Sequence, residues 1–348
     1  MKKLVAVLVF FVCLVALVVS SSEKGMRILT KQRYAGLGLW HSDKYLFGDL
    51  YGLSYLSAFR LPKKEAFVKV PELSAASRDI DLYVVGDSYL YSYFDTIPAY
   101  YARVAKVDFR RWEHVPRRKE TFQSSRKKVV VIESVERNLT NVIRLEKIRA
   151  IFEPLPALEL PWWERWNEAI KSALYHPSLE SNLDFTLFNL ALFSPIKQWK
   201  ADWNDRVFGR TDAAVVKSAS GDQLFLHETV DRQAVGSSYR RVSNDEVEGM
   251  VRNMEDIQRS FRAKGFDLIV FSFIPNPVSL LDSSQGEGNR LLARLQTAAA
   301  GRVTILDPTL RLGVDAKHYF YQSDSHWNQR GARVWLDQLN EVLRGAHL

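Results

Sequence analysis

Ile80-Asp81-Leu82-Tyr83-Val84-Val85-Gly86-Asp87-Ser88 is the stretch on which the reading of this chain turns. Its first six residues are mostly apolar and run into glycine, aspartate and serine, the pattern of a short buried strand stopping at a turn. A serine placed where a strand ends and a helix begins is exposed and aimed outward. Its hydroxyl is a poor nucleophile until a base takes its proton. Towards the other end of the chain, Asp324-Ser325-His326-Trp327-Asn328 offers a histidine with a carboxylate two residues before it. Ser-His-Asp constellations are defined by roles and not by chain order. Ser88, His326 and Asp324 are therefore the candidate nucleophile, base and orienter of an acyl-transfer site. Each half also has a structural reading. Gly-Asp-Ser is a common turn, and the histidine segment can open a helix, with Asp324 or Ser325 as cap and Trp327 as core filler.

Working outward, strands and helices alternate past residue 75, which argues an α/β fold with a mostly parallel sheet covered on both faces. Strands are expected at 81–85, 128–132, 266–272 and 303–306. The third leads into Pro275-Asn276-Pro277 and the fourth into Asp307-Pro308. Ser243-Asn244-Asp245-Glu246 is a capping box, followed at helical spacing by Val247, Met250, Val251, Met254, Ile257 and Phe261. Stretches 287–299 and 331–343 are amphipathic in the same way.

Residues from about 145 to 240 look like an insertion in this frame. Trp162, Trp163, Trp166, Trp199 and Trp203 crowd it and are expected in a core, with a sugar-stacking surface as the functional alternative. Val215-Val216 and Leu224-Phe225-Leu226 flank a polar turn and read as a hairpin. Asn138-Leu139-Thr140 matches a glycosylation sequon and reads most simply as a helix start.

The N-terminus carries Lys2 and Lys3 ahead of an apolar run over 4–20. Residues 1–22 are thus an export signal or N-terminal membrane anchor, at the short limit for spanning, where about 20 residues are usual. Lysines before the run favour an N-in orientation, leaving 23–348 periplasmic or otherwise extracytoplasmic. Val19-Ser20-Ser21 is a passable cleavage site, and a retained anchor is the preferred reading. The only cysteine, Cys13, lies inside the run behind Val12, which argues against lipidation. A body without thiols excludes disulfides within it, zinc-thiolate sites and a cysteine nucleophile. His41, His114, His176, His227, His318 and His347 show no metal-ligand spacing, so neither a metal nor a cofactor is expected. His318 is a second-choice base. The formal charge is +8. Basic clusters at Arg110-Arg111, 117–119 and 126–128 are read as a solvated face, or as attraction to an anionic glycan or membrane surface. Export disfavours a nucleic-acid partner.

On these residues the chain resembles the SGNH (GDSL-type) hydrolase superfamily, and most closely its DHHW and alginate-acetylation-type proteins. The likeness rests on Gly86-Asp87-Ser88, on Glu136-Arg137 after the second expected strand and on Asp324-Ser325-His326-Trp327-Asn328. Phe47-Gly48-Asp49-Leu50-Tyr51 adds to it, and it covers roughly 45–343. The resemblance implies a flavodoxin-like three-layer α/β/α sandwich over 23–348 with a helical and hairpin insertion. It also implies an acyl-serine intermediate on Ser88, a polysaccharide substrate, and a membrane-bound O-acyltransferase as acetyl donor. The activity implied is O-acetyl transfer to, or removal from, an exported or cell-surface polysaccharide. A helix beginning at Ser88 would direct free backbone N–H groups at the developing oxyanion.

Two features depart from the pattern. The Gly-x-Asn-Asp segment of typical members is missing, since Glu133-Ser134-Val135-Glu136 follows the second strand. Arg137 is then the candidate oxyanion donor, or else a structural partner of Glu136, and Asn276 is a further candidate. The base motif is Asp-x-His where typical hydrolases have Asp-x-x-His. It follows the serine, whereas the acetylation branch often places it before. A different class of function is a catalytically weak glycan-binding or scaffold component of a polysaccharide-modification complex.

Overall fold

The computed structural model describes residues 2–22, 26, 43–63, 78–91, 103–114, 122, 124–153, 161–164, 166–167, 179–189 and 191–346. His41, His176, His347 and the basic cluster 117–119 lie outside the described residues. Seven strands are described: β1 (Ile80–Gly86), β2 (Val104–Arg111), β3 (Lys127–Val135), β4 (Val215–Lys217), β5 (Leu224–Leu226), β6 (Leu268–Ile274) and β7 (Thr304–Leu306). Five of them form one parallel sheet in the order β2-β1-β3-β6-β7. Counted within the sheet alone, this is the doubly wound order 2-1-3-4-5. Winding reverses between β1 and β3, and the crevice at their carboxyl ends is where such sheets bind ligands. β4 and β5 form the small second sheet expected as a hairpin.

Helices cover both faces of the large sheet. Ile80, Leu82 and Val84 pack with Val129, Val131 and Val270 under the helix Gln329–Gly345, which contributes Trp335, Leu336, Leu339 and Leu343. Tyr83, Val85, Val130, Ile132, Phe271 and Phe273 point the other way, into the helices Leu145–Phe152, Asn244–Ala263 and Leu291–Ala299. A strand covered on both faces has no polar side to show, so β3 is buried from Val129 to Val135. The capping box forms as expected: Ser243 Oγ accepts the Glu246 N–H, and the Glu246 carboxylate accepts the Ser243 N–H at 2.8 Å.

β2 was not anticipated. Its sequence, Val-Ala-Lys-Val-Asp-Phe-Arg-Arg, is charged because it is the half-exposed edge of the sheet. Arg110, read as part of a solvated basic face, is buried there. Its guanidinium donates to Asp108 and to the Ile151 carbonyl and lies 4.8 Å over the Phe152 ring. Arg126 pairs with Asp81 at 2.8 Å and Lys127 with Asp267 at 3.5 Å, so these cations close the amino-terminal ends of β1 and β3.

The chain divides into two compact units. The larger, Lys64–Pro156 with Val216–Leu348, holds the five-stranded sheet. The smaller is Met1–Lys63 with Ala157–Val215. The stretch 145–240 is accordingly shared: Leu145–Phe152 belongs to the sheet's core, while 157–215 joins the N-terminal segment.

Within the smaller unit, the apolar helix Lys2–Ser21 is long and apolar enough to cross a membrane. Its end is tied to the helix Leu179–Phe188: Ser20 Oγ donates to Thr186 Oγ1 at 3.0 Å, and Asn182 donates to the Ser20 carbonyl at 3.0 Å. The expectation that the tryptophans fill a core is overturned. Trp162, Trp163, Trp166, Trp199 and Trp203 are all more than half exposed. For Trp199 and Trp203 the reason is local: the helix Ser194–Phe208 turns its polar side inward.

Candidate active site

β1 ends at Gly86, and only glycine fits there. A Cβ at that position would lie 2.7 Å from Oε2 of Glu133, a fully buried residue of β3. That oxygen accepts the Asp87 N–H at 2.9 Å. The Asp87 carboxylate fastens the other side of the turn, with Oδ1 taking the Tyr89 N–H at 2.9 Å and Oδ2 the Val135 N–H at 3.1 Å. The Asp87 carbonyl takes the N–H groups of Leu90 and Tyr91. Ser88 therefore opens the helix Ser88–Tyr91 on a turn clamped between two strands. Several free N–H groups were expected at this helix start. Asp87 consumes those of Tyr89, Leu90 and Tyr91, which leaves the Ser88 N–H, among the described residues, as the donor at the turn.

The histidine arrives from the far end of the chain. His326 Nε2 is 2.7 Å from Ser88 Oγ, and His326 Nδ1 is 2.6 Å from Asp324 Oδ1. The same carboxylate oxygen accepts the His326 N–H at 3.0 Å, so Asp324 holds both the ring and its backbone. Asp324 is buried and His326 partly exposed. This network assigns the tautomer: Nδ1–H donates to Asp324, and Nε2 is free to accept the serine proton.

Packing fixes this segment. Trp327 is fully buried and donates from Nε1 to the Tyr89 carbonyl at 3.0 Å. The Tyr89 hydroxyl donates back to the Ser325 carbonyl, and its ring lies 4.7 Å from the His326 ring, centroid to centroid. Asn328 caps the helix Gln329–Gly345, accepting the N–H groups of Arg330 and Gly331 at 2.9 and 3.2 Å. The cap is thus Asn328, not Asp324 or Ser325, and Asp324 Oδ1 is the oxygen that holds the histidine. Gly331 is obligatory, because a Cβ would lie 2.7 Å from both the Trp327 Cβ and the Tyr319 carbonyl.

The two oxyanion candidates fare differently. Arg137 lies in the turn Glu136–Asn138 after β3, with its guanidinium carbon 5.6 Å over the Tyr89 ring. Among the described residues its ion partner is Glu228 at 3.6 Å and not Glu136, and its buried Nη1 has no hydrogen-bond partner. Burial opposes its charge, but Tyr89, Asp87 and Glu228 outweigh that and hold its pKa above the ordinary arginine value. Asn276 does not suit the role. Its amide N–H groups are committed to the Gly236 carbonyl at 3.1 Å and Ser238 Oγ at 2.9 Å, leaving only a buried acceptor oxygen. His318, the second-choice base, is engaged by the Arg330 guanidinium at 2.9 Å.

Two buried carboxyls escaped the sequence reading. Burial, with the Asp87 charge beside it, pushes Glu133 well above the usual carboxylate range. Burial likewise pushes Glu136 up to about 7, although it accepts the Asn276 N–H at 2.9 Å and the Ser238 hydroxyl. Glu136 borders a cleft of about 280 Å³ beyond the carboxyl ends of β6 and β7, lined also by Tyr239, Pro275, Asp282 and Asn289. The continuous apolar run of β3 gave one signal that could have exposed Glu133: a carboxylate in a strand buried on both faces must serve a specific partner. No protein-family model, curated protein or solved structure matches this chain.

Proposed function

We propose that this protein is an extracytoplasmic SGNH-type serine acyltransferase or esterase that moves O-acetyl groups on an exported or cell-surface polysaccharide. One observation carries the reading: the unbroken hydrogen-bond chain Ser88 Oγ–His326–Asp324, with contacts of 2.7 and 2.6 Å, at the carboxyl end of β1. The doubly wound strand order and helices on both faces fit the flavodoxin-like sandwich of that superfamily.

In the reaction, Ser88 Oγ attacks the ester carbonyl as its proton passes to His326 Nε2. Asp324 stabilises the imidazolium through Nδ1–H and keeps the ring in place. The Ser88 N–H and the unpaired Nη1 of Arg137 are the candidate donors to the oxyanion, and one such donor is typically worth about 10²–10³ in rate. Collapse of the tetrahedral intermediate breaks the ester C–O bond, and His326 returns the proton to the departing alcohol. The acetyl-serine is then opened by water, giving an esterase, or by a sugar hydroxyl, giving a transferase, with His326 again the base. The acetyl donor in the transferase case is a membrane-bound O-acyltransferase.

Intact-mass measurement during incubation with a small activated acetyl ester tests this. A Ser88-dependent acetyl adduct with slow release marks a transferase awaiting its sugar. Rapid release abolished by Ser88→Ala marks an esterase. Release that survives Ser88→Ala removes the serine assignment.

A further inference from the structure

The helix Ser194–Phe208 is inverted relative to an ordinary surface helix. Ile196, Trp199, Trp203 and Val207 recur at spacings of three and four residues and so form one stripe. In a water-soluble domain that stripe would face the core. Here each of the four is more than half exposed, and Trp199 and Trp203 stack on each other with ring centroids 6.2 Å apart. Leu192, just before the helix, and Phe208, at its end, extend the apolar surface.

The inward side is polar, and four groups on it have partners in the smaller unit. Ser194 donates to Asp43 at 2.6 Å and Gln198 to the Tyr51 hydroxyl at 2.8 Å. Lys197 donates to the Tyr55 hydroxyl at 3.0 Å, and Asp202 accepts the Ser57 N–H at 3.0 Å. The apolar face therefore cannot be rotated inward without stripping these bonds. Exposed Lys200 and Arg206 flank the stripe on its two sides, and Arg210 follows it.

We infer that this face lies in the headgroup region of the membrane, a second contact beside the spanning helix Lys2–Ser21. Three observations select lipid. The same compact unit contains the helix Lys2–Ser21, long and apolar enough to cross a membrane, whose C-terminal end is hydrogen-bonded to Leu179–Phe188, the element that leads into the stripe. Leu, Ile and Val accompany the indoles, as in an interfacial helix and unlike a sugar platform, which needs polar groups beside its rings. Cations border the apolar residues, which suits anionic headgroups, and tryptophan prefers this depth of the bilayer. The smaller unit then lies on the membrane, held by two elements of different kinds. This inference is independent of the serine chemistry, and Ser88→Ala leaves it unchanged.

The test uses the full chain in phosphatidylcholine–phosphatidylglycerol vesicles whose upper acyl segments carry bromine, a contact quencher of indole. Wild-type emission is expected to fall relative to unbrominated vesicles. In W199F/W203F, which keeps the stripe apolar but removes its fluorophores, much of that loss disappears. I196E, which charges the exposed stripe without touching the inner bonds, is expected to reduce the quenching while the protein stays anchored. Equal fractional quenching in wild type and W199F/W203F would overturn the proposal. So would an unquenched wild type, the result expected if the face is reserved for a protein or a glycan.

Discussion

Two helices of similar length, Gln329–Gly345 and Ser194–Phe208, each have one apolar and one polar face, and they are mounted in opposite senses. The first buries Trp335, Leu336, Leu339 and Leu343 on the sheet and gives its charges to water. The second buries hydrogen bonds and gives its tryptophans away. Amphipathic spacing states that two faces differ; it does not state which is inside. That is decided by what the outer face meets. For the first helix, removal of apolar area from water at about 25 cal/mol per Å² is the holding force. For the second it is a set of polar contacts, each worth only about 0.5–1.5 kcal/mol net.

The largest effects belong to the larger unit, where the apolar-in helix carries the histidine segment at its start. Ser88→Ala should abolish the acetyl adduct and lower turnover by about 10⁴–10⁶, with the melting temperature unchanged. Full turnover in that variant would break the assignment. Asp324→Asn should lower turnover by about 10⁴, because the amide sets the wrong imidazole tautomer. Next comes Trp335→Ala, which empties a fully buried site and orphans the Ser272 hydroxyl that its Nε1 reaches at 2.7 Å. Urea titration should show a loss of about 3–5 kcal/mol. A loss near zero would mean that this helix is not held by its apolar face.

The legible parts of this molecule are those where pattern and environment agree. β1 and β3 announced themselves because strands buried on both faces are continuously apolar, and Asn244–Ala263 because its cap and stripe coincide. Ser88, His326 and Asp324 were visible as residue types at turns, although nothing local reveals that 238 positions separate contacting groups. β2 was hidden by the charges of an edge strand. Arg110 was misread because charge in sequence does not reveal a buried salt bridge. The tryptophans were misplaced because large aromatics are more often buried, a general tendency that says nothing of which face of a given helix turns inward. Asn276 was misjudged because donor availability depends on partners such as Gly236 and Ser238, which are distant in sequence.

Glu136 sharpens the comparison, since it is one of the buried polar groups of the unit whose sheet is held by apolar packing on both faces. Its carboxyl is raised from 4.5 to about 7 by burial. Between these values the folded state binds more protons than the unfolded one, so this group's contribution to stability falls as pH rises through that window and then levels off. Glu136→Gln keeps an acceptor for the Asn276 N–H and removes the titration. The stability of the wild type relative to this variant should therefore decline from about pH 4.5 to about pH 7. Thermal melts across that range check the sign. A relative stability that rises with pH would mean that the carboxylate, not the acid, is the favoured buried form.

The smallest expected effect is the most discriminating for the inverted helix. Trp203→Ser removes an indole that is 54 % exposed, and none of the inner hydrogen bonds of Ser194, Lys197, Gln198 or Asp202 involves it. In detergent-free solution, unfolding free energy should shift by no more than about 0.5 kcal/mol, roughly a tenth of the cost at Trp335. The same residue type would then carry opposite weight in the two helices, because one indole has protein around it and the other has the surroundings of the molecule. A loss at Trp203 as large as that at Trp335 would show that the stripe is already covered by protein in solution. The difference between the two helices would then be one of partner and not of solvent.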